Sequence, residues 1–198
     1  MKNSHNVFIG CVVLAAGNSS RFGKNKLLTE INGETMIEHA LEAIPAEKLN
    51  CVAVVTQYEN IIKLADKYGF ECIINDHPEL GLSHSVKLGT EFLKDKCDGI
   101  IYQVSDQPWL KRKSVSQMLD FFSDNPNSII SMSNSGRRGN PCIFPKAYFE
   151  ELCSLSGDRG GRSVIEMHED NLMLFEVPET ELIDVDTPET IENILVRK

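Results

Sequence analysis

The chain has 198 residues and carries 20 Lys and Arg against 29 Asp and Glu, a formal net charge of −9 at pH 7. Its apolar share of 41 % and charged share of 25 % exclude a wholly disordered chain. An isoelectric point near 5.1 argues against a general binder of nucleic acid or of anionic membranes, which would need a basic face. The length predicts one domain spanning residues 1–198.

Six cysteines are spread along the chain, and none belongs to a C-x-x-C pair. Structural zinc sites usually take their ligands in such close pairs, so this spacing argues against one. The apolar run over residues 7–16 is too short to cross a bilayer and leads directly into glycine-rich sequence. These features predict a reduced, soluble and cytoplasmic protein.

Strand-like and helix-like patterns alternate along the chain. Continuous apolar runs predict buried strands, and apolar residues at helical spacing predict helices between them. In chain order, the predicted strands are 7–15, 51–56, 72–74, 99–104, 128–133, 141–144 and 172–177. The predicted helices are 36–44, 61–68, 83–93, a helix capped by Ser114, 147–152, 161–169 and 187–195. The alternation predicts a Rossmann-like α/β sandwich of three layers, with a mostly parallel sheet and helices on both faces.

The first predicted strand leads into a loop rich in glycine and small residues, from Ala15 to Lys26. Small residues let backbone N–H groups turn inward and form a concavity that binds anions. Arg21 and Lys26 add positive charge beside it, which favours a polyphosphate over a single phosphate. The loop has neither the Walker A spacing nor the dinucleotide G-x-G-x-x-G pattern. An ordinary glycine-rich turn with solvated basic residues is the alternative interpretation.

Carboxylates follow one predicted strand and precede the last predicted helix. Asp106 comes after the strand 99–104, where a carboxylate is well placed to hold Mg²⁺, an ion that prefers oxygen ligands. A turn-forming or helix-capping role is the alternative for Asp106. Asp184 and Asp186 lie near the end of the chain, and Asp186 before Thr-Pro-Glu also fits a helix cap.

Three further segments combine glycine with polar side chains. Residues 81–85 place two hydroxyls at the start of a helix, where they can bind ribose or a base, or where Ser83 can simply cap the helix. Residues 157–162 carry one acidic and two basic side chains and suit either an anion or a plain surface turn. Residues 135–141 join two predicted strands, and we interpret them as a mobile loop over an acceptor substrate.

The ordered set of these segments resembles the molybdenum-cofactor guanylyl- and cytidylyltransferases, the MobA-like nucleotidyltransferases. The resemblance covers almost the whole chain and rests on five motifs, of which the last four match the cytidylyltransferase branch. These motifs are Leu14-Ala15-Ala16-Gly17-x-Ser19-x-Arg21-x-Gly23-x-x-Lys26, Gly81-Leu82-Ser83-His84-Ser85, Asp106-Gln107-Pro108, Gly157-Asp158-Arg159-Gly160-Gly161-Arg162 and Asp184-Val185-Asp186-Thr187-Pro188-Glu189. The fold it implies is that of the nucleotide-diphospho-sugar transferases.

The resemblance also assigns roles, residue by residue. It implies catalytic roles for Arg21, Lys26 and Asp106, and Mg²⁺ bound by Asp106 and Asp186, with Asp184 as the alternative second ligand. The implied nucleotide-binding residues are Leu14, Ala15, Ala16, Gly17, Ser19, Arg21, Lys26, Gly81, Ser83, Ser85 and Asp106. The implied acceptor-binding residues are Gly157, Asp158, Gly160, Gly161 and Arg162. His84 stands where relatives more often carry a small hydroxyl residue, so the resemblance gives it no role.

The implied reaction is the attack of an acceptor phosphate on the α-phosphorus of CTP, with release of pyrophosphate. Molybdopterin is the implied acceptor, and the product is molybdopterin cytosine dinucleotide. A transient contact with a molybdenum hydroxylase or its cofactor-delivery chaperone follows from that product. Ala16 favours CTP modestly, because guanylyltransferase relatives usually carry glycine there.

Two other functions remain open at this point. One is nucleotidyl transfer to a sugar phosphate or another small phosphorylated acceptor, which the same scaffold supports. The other is a non-catalytic module that binds a nucleotide or a pterin. The presence of Asp106 and Asp186 together with Arg21 and Lys26 argues against the module, because simple binding does not need two spaced carboxylates.

Overall fold

A computed structural model describes residues 7–18 and 25–195 of the chain. The strands within these residues are β1 Ile9–Ala15, β2 Glu30–Ile31, β3 Glu34–Thr35, β4 Cys51–Thr56, β5 Glu71–Ile74, β6 Gly99–Val104, β7 Ile129–Asn134, β8 Arg137–Pro145 and β9 Leu172–Glu176. The α-helices are α1 Met36–Glu42, α2 Glu59–Lys67, α3 Leu82–Leu93, α4 Arg112–Asp124, α5 Phe149–Cys153, α6 Arg162–Met167 and α7 Pro188–Leu195. Short 3-10 helices lie at Lys26–Leu28, Ala46–Lys48, Pro78–Leu80, Lys146–Tyr148, Glu169–Asn171 and Glu179–Leu182.

Seven strands form one sheet in the order β5-β4-β1-β6-β8-β7-β9. Strands β5, β4, β1 and β6 run parallel to one another, as do β7 and β9, and β8 is antiparallel to both of its neighbours. The predicted mostly parallel α/β sheet is therefore confirmed. The carboxyl ends of β1, β4 and β6 lie side by side, which is where ligands bind in sheets of this kind.

The helices cover both faces of the sheet, as the alternation predicted. One core contains Ile37 of α1, Ile61 of α2 and Met118 of α4. The other core contains Val86 of α3 and Phe149 of α5. The sequence of β1 is continuously apolar because alternate residues of the strand point into the two cores, so both of its faces are buried.

The second helical layer approaches β1 closely at one glycine. A Cβ added at Gly89 of α3 would lie only 2.5 Å from Cγ1 of Val12 in β1. Real side chains do not reach such a distance without displacing a neighbour, so glycine lets α3 pack directly on the strand. The amino end of α3 is thereby brought beside the carboxyl end of β1.

The predicted cap of α4 by Ser114 is wrong. The helix begins at Arg112, and Ser114 is buried inside its first turn. The N–H of Lys111 donates instead to Oε2 of Glu181 at 3.1 Å. The buried carboxylate of Glu181 is 70 positions away in the chain, so no local capping pattern in the sequence predicts this bond.

The interpretation of residues 135–141 as a loop is also wrong. Only Ser135 and Gly136 form the turn, and the remaining residues belong to β8, which pairs with β7 through an irregular register between Ser131 and Ser133. Gly139 and Pro141 suggested a loop, because both residues are uncommon inside regular strands. An irregular register is one of the places in a sheet that accommodates them.

The small hairpin β2–β3 was not predicted. Its strands have two residues each, too short for an alternating pattern, and it turns at Asn32 and Gly33, whose φ angles are 56° and 93°. Asn-Gly is the pair that such tight hairpin turns favour, so the turn itself was readable from the sequence. In the part of the chain that the structure describes, no helix has the length and apolar character needed to span a membrane.

Candidate active site

The end of β1 and the first residues after it are held by side chains from the ends of the neighbouring strands. Four consecutive backbone carbonyls each accept one hydrogen bond from a residue at or after the end of β4 or β6. The bonds run from Ser105 Oγ to Leu14 O (2.9 Å), from Thr56 Oγ1 to Ala15 O (2.9 Å), from Gln57 Nε2 to Ala16 O (2.7 Å) and from the Tyr58 hydroxyl to Gly17 O (2.8 Å). The start of the loop is therefore fixed by the sheet itself.

Sequence reasoning missed these four donors. Their positions in the sequence could have identified them, because Gln57, Tyr58 and Ser105 follow predicted strands and Thr56 is the last residue of one. Polar residues at the carboxyl ends of parallel strands converge on one edge of the sheet.

Lys26 lies at the centre of this edge, between two carboxylates. Its Nζ donates to Oδ2 of Asp106 at 2.8 Å and to Oδ1 of Asp186 at 3.3 Å. A third bond runs from Nζ to the backbone carbonyl of Val185 at 3.2 Å. The structure thus brings together three predicted site residues that are 80 and 160 positions apart in the chain.

The two neighbouring carboxylates stabilise the protonated form of Lys26. Burial lowers the pKa of its ammonium, but the charges and hydrogen bonds of Asp106 and Asp186 outweigh that effect and raise the pKa above its ordinary value. An amine whose folded-state pKa is raised stabilises the fold below its unfolded-state pKa, and that stabilisation is lost only as the pH rises through the folded value. Lys26 therefore remains a cation at neutral and mildly alkaline pH.

The segment that carries the late aspartates is docked onto the end of β6. The N–H of Val185 donates to the backbone carbonyl of Asp106 at 2.8 Å. Nε2 of Gln107 donates to Oδ1 of Asp184 at 2.9 Å. These two bonds hold the segment 184–186, which precedes α7, against the end of β6, and they thereby bring Asp186 to the site.

Asp184 and Asp186 occupy different environments. Asp184 accepts its hydrogen bond from Gln107, whereas Asp186 accepts one from the Lys26 ammonium. Partial burial raises the pKa of Asp184, and the negative charge of Asp106 raises it further. Asp186 shares a cation with Asp106, and this favours Asp186 over Asp184 as the partner of Asp106.

A cleft of about 530 Å³ opens over these residues. Of the predicted nucleotide and metal residues, those that line it are Leu14, Ala16, Gly17, Lys26, Gly81, Ser85, Asp106 and Asp186. Ala15 and Ser83 are buried beside the cleft and do not line it. Ser19 and Arg21 fall outside the residues that the structure describes.

Gly81 joins the cleft to the loop 157–161. Its φ is +83°, and an added Cβ would lie 2.2 Å from Oδ1 of Asp158 and 2.8 Å from the backbone of Gly157. The N–H of Ser83 donates to the carbonyl of Gly157 at 3.0 Å. Asp158 lines this first cleft and not the second, although it was expected among the acceptor residues.

Gly81→Ala should destabilise the protein by about 3 kcal/mol or more, because it combines a strained φ with a backbone collision. Urea unfolding measures the free energy of unfolding, and Gly17→Ala is the matched control, since no atom of residues 7–18 or 25–195 lies within 4 Å of a Cβ added there. Equal stability of the Gly81→Ala variant and the wild-type chain would contradict the close approach.

A second cavity of about 590 Å³ adjoins the first, and the two share Leu14, Leu82 and Val104 in their walls. Its lining includes four arginines, Arg137, Arg138, Arg159 and Arg162. Glu166 pairs with Arg159 and, at 2.9 Å, with Arg162, and Glu169 lies 3.5 Å from Arg138. Within the described residues, Arg137 has no carboxylate partner, so the cavity keeps a positive excess for an anion.

Only some of the predicted acceptor residues line the second cavity. Gly161 and Arg162 line the second cavity. Gly157 and Gly160 line neither cavity, and a Cβ at Gly160 would lie 2.8 Å from Cδ2 of Leu82. Arg137 and Arg138 also line the second cavity, and they do so as residues of strand β8 and not of the loop that was expected there.

The two carboxylates around Lys26 suit a divalent cation. One ammonium contacts Asp106 and Asp186 at once, so a single small cation can be reached by an oxygen of each. Oxygen ligands supplied by one or two carboxylates, completed by substrate phosphates, are the usual environment of Mg²⁺ in proteins. The donor set therefore fits Mg²⁺ better than zinc.

The chain is similar in sequence to relatives of known name. The sequence is 28 % identical over 195 residues to the purine catabolism protein PucB of Bacillus subtilis, covering 92 % of this chain and 94 % of that protein. It is 32 % identical over 115 residues to a probable molybdenum cofactor guanylyltransferase of Thermococcus sibiricus, covering 58 % and 56 % of the two chains.

Solved structures show the same fold. Rv0371c of Mycobacterium tuberculosis superposes with a TM-score of 0.80 at 22 % identity, covering 96 % of this chain and 99 % of that one. A complex of Rv0371c with manganese superposes with a TM-score of 0.78 at 20 % identity, covering 96 % and 100 %. Residues 11–172 match the family described as the MobA-like NTP transferase domain. The chain therefore belongs to the MobA-like NTP transferase domain family and is a nucleotidyltransferase.

Proposed function

We propose that the protein transfers CMP from CTP to the terminal phosphate of molybdopterin, releasing pyrophosphate and forming molybdopterin cytosine dinucleotide. The observation that carries this proposal is the pair of adjoining cavities. One holds Lys26 between two carboxylates, and the other is lined by four arginines. Their shared wall would let an acceptor phosphate in the second cavity face the α-phosphorus of a nucleotide in the first.

Asp106 and Asp186 would hold Mg²⁺ in this proposal. A bound Mg²⁺ neutralises negative charge on the phosphate oxygens of the nucleotide. In this proposal Lys26 would turn from the carboxylates toward the departing phosphates, and the backbone amides of Gly17 and Asn18 would add further donors there.

The acceptor needs alignment more than activation. A phosphate monoester is already mostly a dianion at neutral pH, so no side chain has to remove a proton before it attacks. Arg162 and Arg137, which lines the second cavity from β8, would bind this phosphate and fix its direction of approach.

The choice of CTP rests on Ala16, which is 5 % exposed and lines the first cleft. Its methyl group narrows the space left for a base compared with the glycine usual in guanylyltransferase relatives. The product would be delivered to a molybdenum hydroxylase or to its cofactor chaperone.

A pyrophosphate-release assay tests the proposal. CTP, GTP, ATP and UTP are each combined with molybdopterin and with several sugar phosphates, with and without Mg²⁺. We expect release with CTP and molybdopterin in the presence of Mg²⁺, and loss of that release in EDTA. Turnover with a sugar phosphate but not with molybdopterin would replace the proposed acceptor, and preference for GTP would overturn the base assignment.

The second metal ligand is tested by two matched substitutions. Asp186→Asn should raise the Mg²⁺ concentration for half-maximal activity by about tenfold or more, because it removes a direct carboxylate ligand. Asp184→Asn should change it far less, since an asparagine oxygen can still accept the bond from Gln107. The opposite order would assign the ligand to Asp184.

A further inference from the structure

Asn75 is a buried polar residue that directly follows the edge strand β5 and lines neither cavity. It is 1 % exposed, and its N–H donates to the carbonyl of Thr56 at 2.9 Å, which extends the pairing between β4 and β5. Its side chain is therefore held at the carboxyl edge of the sheet, beside the first cleft.

The orientation of the Asn75 amide is fixed by a backbone donor. Its Oδ1 accepts from the N–H of His77 at 3.0 Å, and a backbone N–H can only donate. Nδ2 must therefore point the other way, where it donates to Oγ of Ser85 at 3.0 Å. The His77 N–H therefore determines which end of the amide is the oxygen and which is the nitrogen.

Ser85 in turn lines the first cleft and is only 4 % exposed. A hydroxyl has a single proton, and one that accepts from an amide keeps that proton for another partner. Within the described residues, Ser85 Oγ donates to no other group. The pair therefore presents a proton donor of fixed polarity to whatever occupies the cleft.

We propose that Asn75 is a positioning residue, which holds the Ser85 hydroxyl as a donor to an acceptor atom of the bound nucleoside. The acceptor is an oxygen, either the carbonyl of the pyrimidine or the 2′- or 3′-hydroxyl of the ribose. This inference rests on the proposed function only in taking the first cleft as the nucleotide site. A donor of fixed polarity discriminates against ligands that offer a second donor at that point.

A double-mutant cycle read by equilibrium binding tests the inference. In Asn75→Asp, one oxygen still accepts from His77, but the other now accepts from Ser85 and takes its proton away from the ligand. The dissociation constant of CTP, measured by calorimetry with Mg²⁺ present, should rise about tenfold. Ser85→Ala should produce a similar rise, and the double variant should bind no more weakly than Ser85→Ala alone.

A purely structural role for Asn75 gives a different result. Asn75→Asp would then weaken binding by the same factor in the Ser85→Ala background, and that outcome overturns the inference. Asn75→Ala provides a second cycle should the buried carboxylate prevent folding, and its smaller loss should likewise vanish when Ser85 is Ala. Asn50→Asp is the matched control, because Asn50 Oδ1 accepts from the Ile9 N–H at the opposite end of β1.

Nucleotide analogues locate the acceptor. If it lies on the ribose, the effect of Ser85→Ala disappears with 2′-deoxy-CTP or with 3′-deoxy-CTP; if it lies on the base, the effect persists with both and shrinks with 2-thio-CTP. Because binding is measured without turnover, failure of the proposed acceptor reaction leaves this test intact. Absence of binding by CTP, GTP, ATP and UTP alike would remove both the site and the inference.

Discussion

Asp106→Asn should lower kcat by about 10³-fold while leaving the fold in place. The substitution removes a carboxylate charge from the position where Mg²⁺ and the nucleotide phosphates would meet, and it removes the 2.8 Å ion pair with Lys26. The backbone of residue 106 still accepts from the Val185 N–H, so the docking of the late aspartates is retained. Steady-state pyrophosphate release and a thermal melt measure the two effects separately.

Asp120→Asn is the matched control for this substitution. Asp120 also pairs with a lysine, Lys48, at 2.7 Å, but it lies on the outer surface of α4. Its loss should leave kcat within about twofold, because exposed ion pairs contribute little. An Asp106→Asn enzyme with wild-type kcat would remove Asp106 from the reaction.

Lys26→Met should have two effects of opposite sign. The catalytic efficiency kcat/KM should fall by about 10²-fold or more, because a cation that neutralises the phosphates is lost. Binding of Mg²⁺ alone should become tighter, because the ammonium no longer occupies the space between Asp106 and Asp186. The rise in melting temperature on adding Mg²⁺ should therefore be larger in the variant than in the wild-type chain.

Lys48→Met is the control for Lys26→Met, since it removes a lysine from a surface ion pair of similar length. It should change neither kcat/KM nor the stabilisation by Mg²⁺. A Lys26→Met chain that loses activity but gains no response to Mg²⁺ would show that the lysine does not compete with a cation for the two carboxylates.

Much of the fold was predictable because its signals are local. The continuous apolar run of β1 reflects burial on both faces, and the helical spacing of Val115, Met118 and Phe122 identifies the inner face of α4. The predicted helix 61–68 corresponds to α2, and Gly69 just after it has a φ of 71°, the left-handed conformation that glycine commonly supplies at the end of a helix.

The parts that escaped prediction depend on contacts between distant segments. Glu181 accepts from the Lys111 N–H just before α4 across 70 positions, and the Tyr58 hydroxyl donates to the Gly17 carbonyl across 41 positions. Neither contact leaves a periodic pattern in the sequence. The meeting of Asp106 with Asp186 was expected only through the family resemblance, and the structure adds the lysine that stands between them.

The convergence of Asp106 and Asp186 on one divalent cation is tested most directly by a crystal structure of the protein grown with CTP and Mn²⁺. Anomalous scattering from manganese locates the ion independently of the surrounding density. We expect one ion within about 2.3 Å of an oxygen of each aspartate and of a phosphate oxygen of CTP, with Lys26 displaced toward the phosphates. An ion bound to the triphosphate alone, with both aspartates still paired to Lys26, would contradict the proposed site.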